Sequence, residues 1–276
     1  MGQAAGGEIH ECFAHPPPRV SGMTLAYDAA GDGPALVLLH SAVCDRRMWE
    51  PQWQPLIDAG YRVVRCDFRG FGKTPLQDRP HNDAEDVLGL LDALGIGQAA
   101  LIASSYGGRV ALEIAARRPD RVSAMALLCA GLPGHEPTDE LRAFGEREDA
   151  LLEAGDTAGA VELNVDTWLG PDADEAMRAE VREMQRHAFE VQLAAPEGAG
   201  RKEVEIDLSA IKAPCLALSG GHDVTDFRQI AAQLPGLLAD TRHLELPWAG
   251  HLPSLERPAA VTDLLIGFLR ETVPSG

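Results

Sequence analysis

Residues 100–122 read ALIASSYGGRVALEIAARRPDRV. An apolar run stops at two adjacent serines and a Gly-Gly pair, and a helical pattern follows over 106–117. A strand that turns sharply into a helix can hold a serine in a strained conformation at its tip. The residues two before and two after that serine must then be small, so that strand and helix can approach. Around Ser105 these are Ala103 and Gly107; around Ser104 they are Ile102 and Tyr106, whose side chains would fill the space the turn needs. Ser105 is therefore the candidate nucleophile, with Ser104 as its neighbour. The free N–H groups and positive dipole end of the following helix lie beside it, so the Tyr106 N–H is a candidate donor to a developing oxyanion. The competing reading is a Ser/Gly turn that only caps a helix.

The same rhythm extends in both directions. Short apolar runs at 35–40, 61–68, 99–104, 124–130, 215–220 and 243–247 alternate with helix-length patterns at 83–94, 106–117, 226–238 and 258–270. Runs that are apolar on both faces suit buried parallel strands. Their alternation with helices predicts an α/β protein with a doubly wound, mostly parallel sheet. The rhythm fails once, from Gly131 to Glu205, where three acidic helical patterns (138–155, 160–170 and 174–194) follow one another without a convincing strand. That is too long for a connecting loop. It predicts a helical cap, inserted after the sixth strand, over the carboxyl edge of the sheet, where such sheets bind ligands. The expected plan is an N-terminal arm (1–19), an α/β core (20–130 and 206–276) and a cap (131–205).

The chain has 276 residues, 45% of them apolar, which suits one large domain with a substantial interior. No run approaches the roughly 20 apolar residues needed to span a bilayer. The first nineteen residues hold no block resembling a secretory signal. Five cysteines, an odd number with no C-x-x-C pair, fit reduced thiols better than a disulfide framework. A soluble, cytoplasmic protein is the expectation. The net charge of −18 excludes nucleic acid as an expected partner and disfavours anionic membranes and, more weakly, polyanionic substrates, although a local arginine could override the field.

A serine hydroxyl needs a base within hydrogen-bond reach and a carboxylate to orient that base. Among nine histidines, His251 stands where a sheet would present it, in the loop PWAGHLPSLERP (247–258) between the last strand pattern and the closing helix. For the acid, Asp223 follows the strand pattern CLALSG directly, after a Gly-Gly turn. Asp226 is the nearby alternative, and Asp223 could instead cap the helix that follows. The loop after 124–130 offers only Glu136. The order Ser105, Asp223, His251 is that of a serine hydrolase built on such a sheet.

With LLHSAVCDRRMW (38–49), DFRGFGKT (67–74), GGHD (220–223) and AGHLP (249–253) added, the chain resembles the α/β-hydrolase superfamily over most of its length. The resemblance implies that fold with a lid, the triad placed above, and chemistry without cofactor or metal. It also implies an oxyanion loop in which His40 matches the family histidine, Ser41 replaces a glycine, and Ala42 supplies the second backbone donor. Serine at the elbow sets the chain apart from dehalogenases and epoxide hydrolases, which it resembles but which carry Asp there. The expected reaction is hydrolysis of a carboxylic ester or lactone through an acyl-enzyme. A carbon-carbon bond hydrolase, a thioesterase or a cofactor-free perhydrolase would use the same residues, and a non-catalytic ligand-binding member is the reading from another class.

Ser41, Trp168 and Trp248 are candidates for the substrate pocket, which the apolar residues of the insertion predict to suit a neutral, apolar small molecule. Trp49 and Cys44 read as core. Asp67 and Arg69 are expected to share a turn network. His222 beside Asp223 lacks further ligands for a metal, and GFGK at 70–73 lacks the P-loop spacing.

Overall fold

Successive side chains along each apolar run face opposite sides of one sheet, and each side buries its own set. The structure, a computed structural model, describes residues 25–195 and 198–275; the expected arm at 1–19 lies outside them. The strands are β1 (Tyr27–Ala30), β2 (Ala35–Leu39), β3 (Arg62–Cys66), β4 (Pro80–His81), β5 (Ala99–Ser104), β6 (Val122–Leu128), β7 (Gly200–Arg201), β8 (Cys215–Gly220) and β9 (Thr241–Leu246). Seven of them form one sheet in the order β1-β3-β2-β5-β6-β8-β9, parallel except for β1, which runs antiparallel to β3 at one edge. Leu36, Leu38, Ile102, Ala126 and Leu218 lie on one face with residues of α1 (Glu50–Asp58) and α9 (Pro258–Thr272). Val37, Leu39, Leu101, Ala103 and Ala217 lie on the other with residues of α2 (Asp83–Ala93), α3 (Tyr106–Arg117) and α7 (Thr225–Leu237). At about 1.5–3 kcal/mol for each buried Leu, Ile or Val side chain, these two layers carry most of the folding free energy.

The predicted doubly wound sheet is present, and β5, α3 and β8 fall on the expected residues. Strand β1 gives no apolar run because, as an edge strand, it is only partly buried. Two residues of the segment expected to lack strands, Gly200 and Arg201, pair with Pro80 and His81 in a separate parallel ribbon too short to leave a periodic signal.

Strand β2 lies between β3 and β5. The chain leaves β2 outward to β3 under α1, then crosses back to β5 under α2 on the opposite face. Where the two connections diverge, the carboxyl ends of β2 and β5 leave the crevice in which open α/β sheets bind ligands. The His40–Ala42 loop follows β2 and Ser105 follows β5, while Asp223 and His251 follow β8 and β9 at the same edge.

Between β6 and β8 the chain forms α4 (Asp139–Glu153), α5 (Thr157–Trp168) and α6 (Glu175–Leu193), each begun by a side-chain cap from Thr138, Asp156 and Asp174 respectively. Helix α5 buries Val161, Val165 and Trp168, and α6 buries Val181, Met184 and Phe189. Helix α6 is tied to the core by His187, whose Nε2–H donates to Gly72 O at 2.8 Å, and by the Arg47–Glu183 pair. Asp67 and Arg69 do not share a network. The Asp67 carboxylate is occupied by the backbone N–H groups of Arg46 and Lys73 (2.8 Å each) and the Arg46 guanidinium, which leaves Arg69 to pair with Asp86 at 2.6 Å. Trp49 and the cysteines Cys44, Cys66, Cys129 and Cys215 are buried. Among the described residues no helix is long and apolar enough to cross a membrane.

The approach of α3 to β2 depends on Gly107, where an added Cβ would lie 2.5 Å from Leu39 O. Gly107→Ala should therefore cost about 1–3 kcal/mol, read in thermal unfolding as a fall of roughly 2–4 °C per kcal/mol. Gly89→Ala in α2, with nothing within 4 Å of the added methyl, should leave stability equal or slightly higher.

Candidate active site

Ser105 follows β5 and caps the start of α3 with φ 52° and ψ −114°. A non-glycine residue there stores strain on the order of 1–3 kcal/mol, which the surroundings must offset. Its N–H donates to Leu128 O, and its carbonyl accepts from the N–H groups of Gly108 and Gly131, all at 2.9 Å. Ala103, before the turn, is fully buried. The Ser104 hydroxyl is buried and has no hydrogen-bond partner among the described residues, whereas Ser105 Oγ lies 2.7 Å from His251 Nε2.

His251 Nδ1 lies 2.9 and 3.0 Å from the two carboxylate oxygens of Asp223. A carboxylate only accepts, so Nδ1 carries the proton and Nε2 accepts from the serine hydroxyl. The imidazole packs against Trp168 and Phe227, with centroids 4.7 and 4.2 Å away, and the His251 N–H donates to Trp168 O at 2.9 Å. Ser105, Asp223 and His251 are 7%, 7% and 2% exposed, so water does little to screen their coupling. Asp226 is engaged elsewhere, accepting from His135 Nε2–H and Thr138 N–H at 2.8 Å and from Thr138 Oγ1 at 2.5 Å. Glu136 is exposed.

Two residues that the sequence does not single out surround this group. Glu256, the last residue of α8 (Pro253–Glu256), is buried, and its carboxylate accepts from the N–H groups of Gly250 (2.9 Å) and Leu252 (3.3 Å), which flank His251. Burial pushes its carboxyl above the ordinary range, while the backbone donors around it act to lower it. In sequence it lies in the loop before the closing helix pattern; its signal is the spacing of five residues from His251. Cys129, after β6, has φ 47° and places Sγ 3.7 Å from Gly250 O. Its sulfur lies within 4.8 Å of ligand atoms of both Asp223 and His251. Burial and then the Asp223 charge push the thiol well up, which keeps it protonated and a poor metal ligand. His222, by contrast, is exposed.

The backbone N–H groups of Ala42 and Tyr106 donate to no group among the described residues. Between Ala42 and β2, His40 Nδ1–H donates to Ser41 O at 2.7 Å and His40 Nε2 accepts from Phe68 N–H at 3.0 Å. Burial lowers the His40 pKa, consistent with a neutral ring that uses both nitrogens. Ser41 stands where the resemblance places glycine, yet among the described non-glycine residues only Ser105 and Cys129 have positive φ, so the backbone at 41 does not require one. Tyr106 is held by its hydroxyl, which donates to Asp83, and by the Arg201 guanidinium 4.4 Å from its ring centroid.

A cavity of about 240 Å³ opens on Ser105, with Arg109, Leu132, His135, Leu141 and Phe227 among its walls. The pocket candidates lie outside that lining. Ser41 is buried with its N–H on Met48 Sδ (3.3 Å). Trp168 stacks on His251 while its Nε1–H donates to Asn164 Oδ1 at 2.8 Å. Trp248 lies half-buried with the Arg257 guanidinium 4.7 Å from its ring centroid. The walls of this cavity are therefore apolar in part only, since they include Arg109, His135 and Asp226.

Residues 36–264 match the alpha/beta hydrolase family. The chain is 31% identical over 267 residues to "Putative carbamate hydrolase RutD" of Variovorax paradoxus (strain S110), covering 92% of this chain and 99% of the relative. Among solved structures, it is similar to the enol-lactonase from Burkholderia xenovorans LB400, with TM-score 0.72, 27% identity and coverage of 89% of this chain and 96% of the other. A hydrolase from Pseudomonas aeruginosa PA01 superposes with TM-score 0.72 at 28% identity over 89% and 94% of the two chains.

Removing the buried Glu256 carboxylate leaves two backbone donors beside His251 unpaired. Glu256→Ala should lower stability by about 1–3 kcal/mol in denaturant unfolding. Ser104→Ala, which deletes an unpartnered hydroxyl, should change it by less than about 0.5 kcal/mol.

Proposed function

Because the chain belongs to the alpha/beta hydrolase family, we propose that it is a serine hydrolase that cleaves a carboxylic ester or lactone of a small molecule. The observation that carries this reading is the unbroken relay from Ser105 Oγ to His251 Nε2 (2.7 Å) and from His251 Nδ1 to Asp223 (2.9 Å), buried at the carboxyl edge of the sheet. Ser105 is the nucleophile and His251 the base that takes its proton as Oγ attacks the carbonyl carbon. Asp223 holds the imidazole in the required tautomer and stabilises its positive charge. The N–H groups of Ala42 and Tyr106 receive the oxyanion, each contributing about 10²–10³ in rate. His251 then protonates the departing alcohol oxygen, leaving an acyl-enzyme. A water deprotonated by His251 attacks that ester, and collapse of the second tetrahedral intermediate returns the proton to Ser105.

Residues 131–205 act as a cap on the core formed by 20–130 and 206–276, shielding the reacting groups from bulk solvent; α5 contributes by packing Trp168 on His251. The names of two similar proteins, a carbamate hydrolase and an enol-lactonase, both concern acyl groups bound to a heteroatom, which favours ester or lactone chemistry here. Four buried, unpaired thiols favour a reducing, cytoplasmic setting.

A fluorophosphonate probe should label the wild type and Ser104→Ala but not Ser105→Ala. On short 4-nitrophenyl esters, Ser105→Ala should lose about 10⁶-fold and Asp223→Asn about 10⁴-fold in kcat. Undiminished turnover by Ser105→Ala, or an unlabelled wild type that only binds ligand, overturns the reading.

A further inference from the structure

Arg109 lies on the first turn of α3, four residues after Ser105, and its N–H donates to Ser105 O at 3.3 Å. It lines the cavity that opens on Ser105. Its salt-bridge partner among the described residues is Glu203, at 2.7 Å, and the two side chains are 36% and 76% exposed. An ion pair exposed to that degree holds its members by no more than about 0–1 kcal/mol, so a second carboxylate can displace Glu203. The other charged group on the wall, Asp226, is not available to compete, because both its oxygens are taken by His135 and Thr138. His135, also on the wall, has its Nε2–H committed to Asp226. Leu132, Leu141 and Phe227 supply apolar walls of the same cavity.

We propose that the cavity is an acyl subsite for a substrate whose acyl group ends in a carboxylate, a half-ester or lactone of a short dicarboxylic acid, with Arg109 as the recognising cation and Glu203 as its resting counter-ion. The proposal rests on Ser105 being the acylated nucleophile. The volume sets the length: about 240 Å³ equals roughly eight waters at about 30 Å³ each, which fits a four- or five-carbon diacid acyl group. In a chain of net charge −18, a small anion is drawn to the site only by a local cation, and Arg109 is that cation on the wall beside Ser105.

The test compares 4-nitrophenyl hydrogen glutarate with its methyl ester, which has the same acyl chain without the charge. The wild type should favour the acid by about tenfold or more in kcat/KM, the worth of one charge-assisted hydrogen bond. Arg109→Gln should erase that ratio, and Glu203→Gln should raise it several-fold, mainly through KM. Free glutarate should slow fluorophosphonate labelling of the wild type, and should do so more strongly in Glu203→Gln. Equal turnover of acid and methyl ester by a labelled, active enzyme overturns this inference alone, as does a ratio unmoved by either substitution. A wild type that neither labels nor hydrolyses either ester overturns the serine mechanism and this subsite together.

Discussion

Gly107 N–H donates to His40 O at 3.1 Å, and a methyl group at Gly107 would sit 2.5 Å from the preceding carbonyl, Leu39 O. That single close approach joins the start of α3 to the end of β2. It sets the sharpness of the turn at Ser105 and fixes the path of the loop that carries Ala42. Two backbone donors from segments more than sixty residues apart in the chain thus come to one crevice. The strain at Ser105 is held because the sheet on one side and the Gly131 N–H on the other leave its backbone no alternative.

A second constraint acts on the histidine. His251 lies in a loop, yet its neighbours Gly250 and Leu252 are clamped by the buried Glu256 carboxylate, its own N–H by Trp168 O, and its ring by Trp168 and Phe227. The inserted helices thus reach His251, since α5 supplies both a carbonyl and a ring that fix the imidazole. Cys129 closes the rear of the same group as a small, protonated thiol beside Asp223. The Asp223–His251 pair is consequently surrounded by groups that either donate from the backbone or carry no charge, with Glu256 set apart by its own donors.

Much of this was legible in residue order because each signal is local. The small residues around Ser105 state a steric requirement of one turn, and both-face apolar runs state full burial, so β5, α3 and β8 fall on the expected residues. Other features leave no local mark. Strand β1 is half-exposed and carries no run, and the β4–β7 ribbon pairs segments 120 residues apart through two residues each. Asp67 and Arg69 are neighbours in sequence with different partners, because the turn's own N–H groups fill the Asp67 carboxylate first. Glu256 lies in the loop before the closing helix pattern, and nothing in the sequence says that its carboxylate is turned inward.

The sequence by itself determined the class of sheet and marked Ser105, rather than Ser104, as the serine flanked by small residues at the turn, because sterics at a turn and periodicity along a strand act between near neighbours. Only the tertiary structure decided which carboxylate meets His251, that Trp168 packs on its ring, and that the cavity beside Ser105 carries Arg109, His135 and Asp226 as well as apolar walls. Those outcomes depend on distances between segments up to 146 residues apart. They are fixed by how strand ends, inserted helices and buried charges compete for the same space.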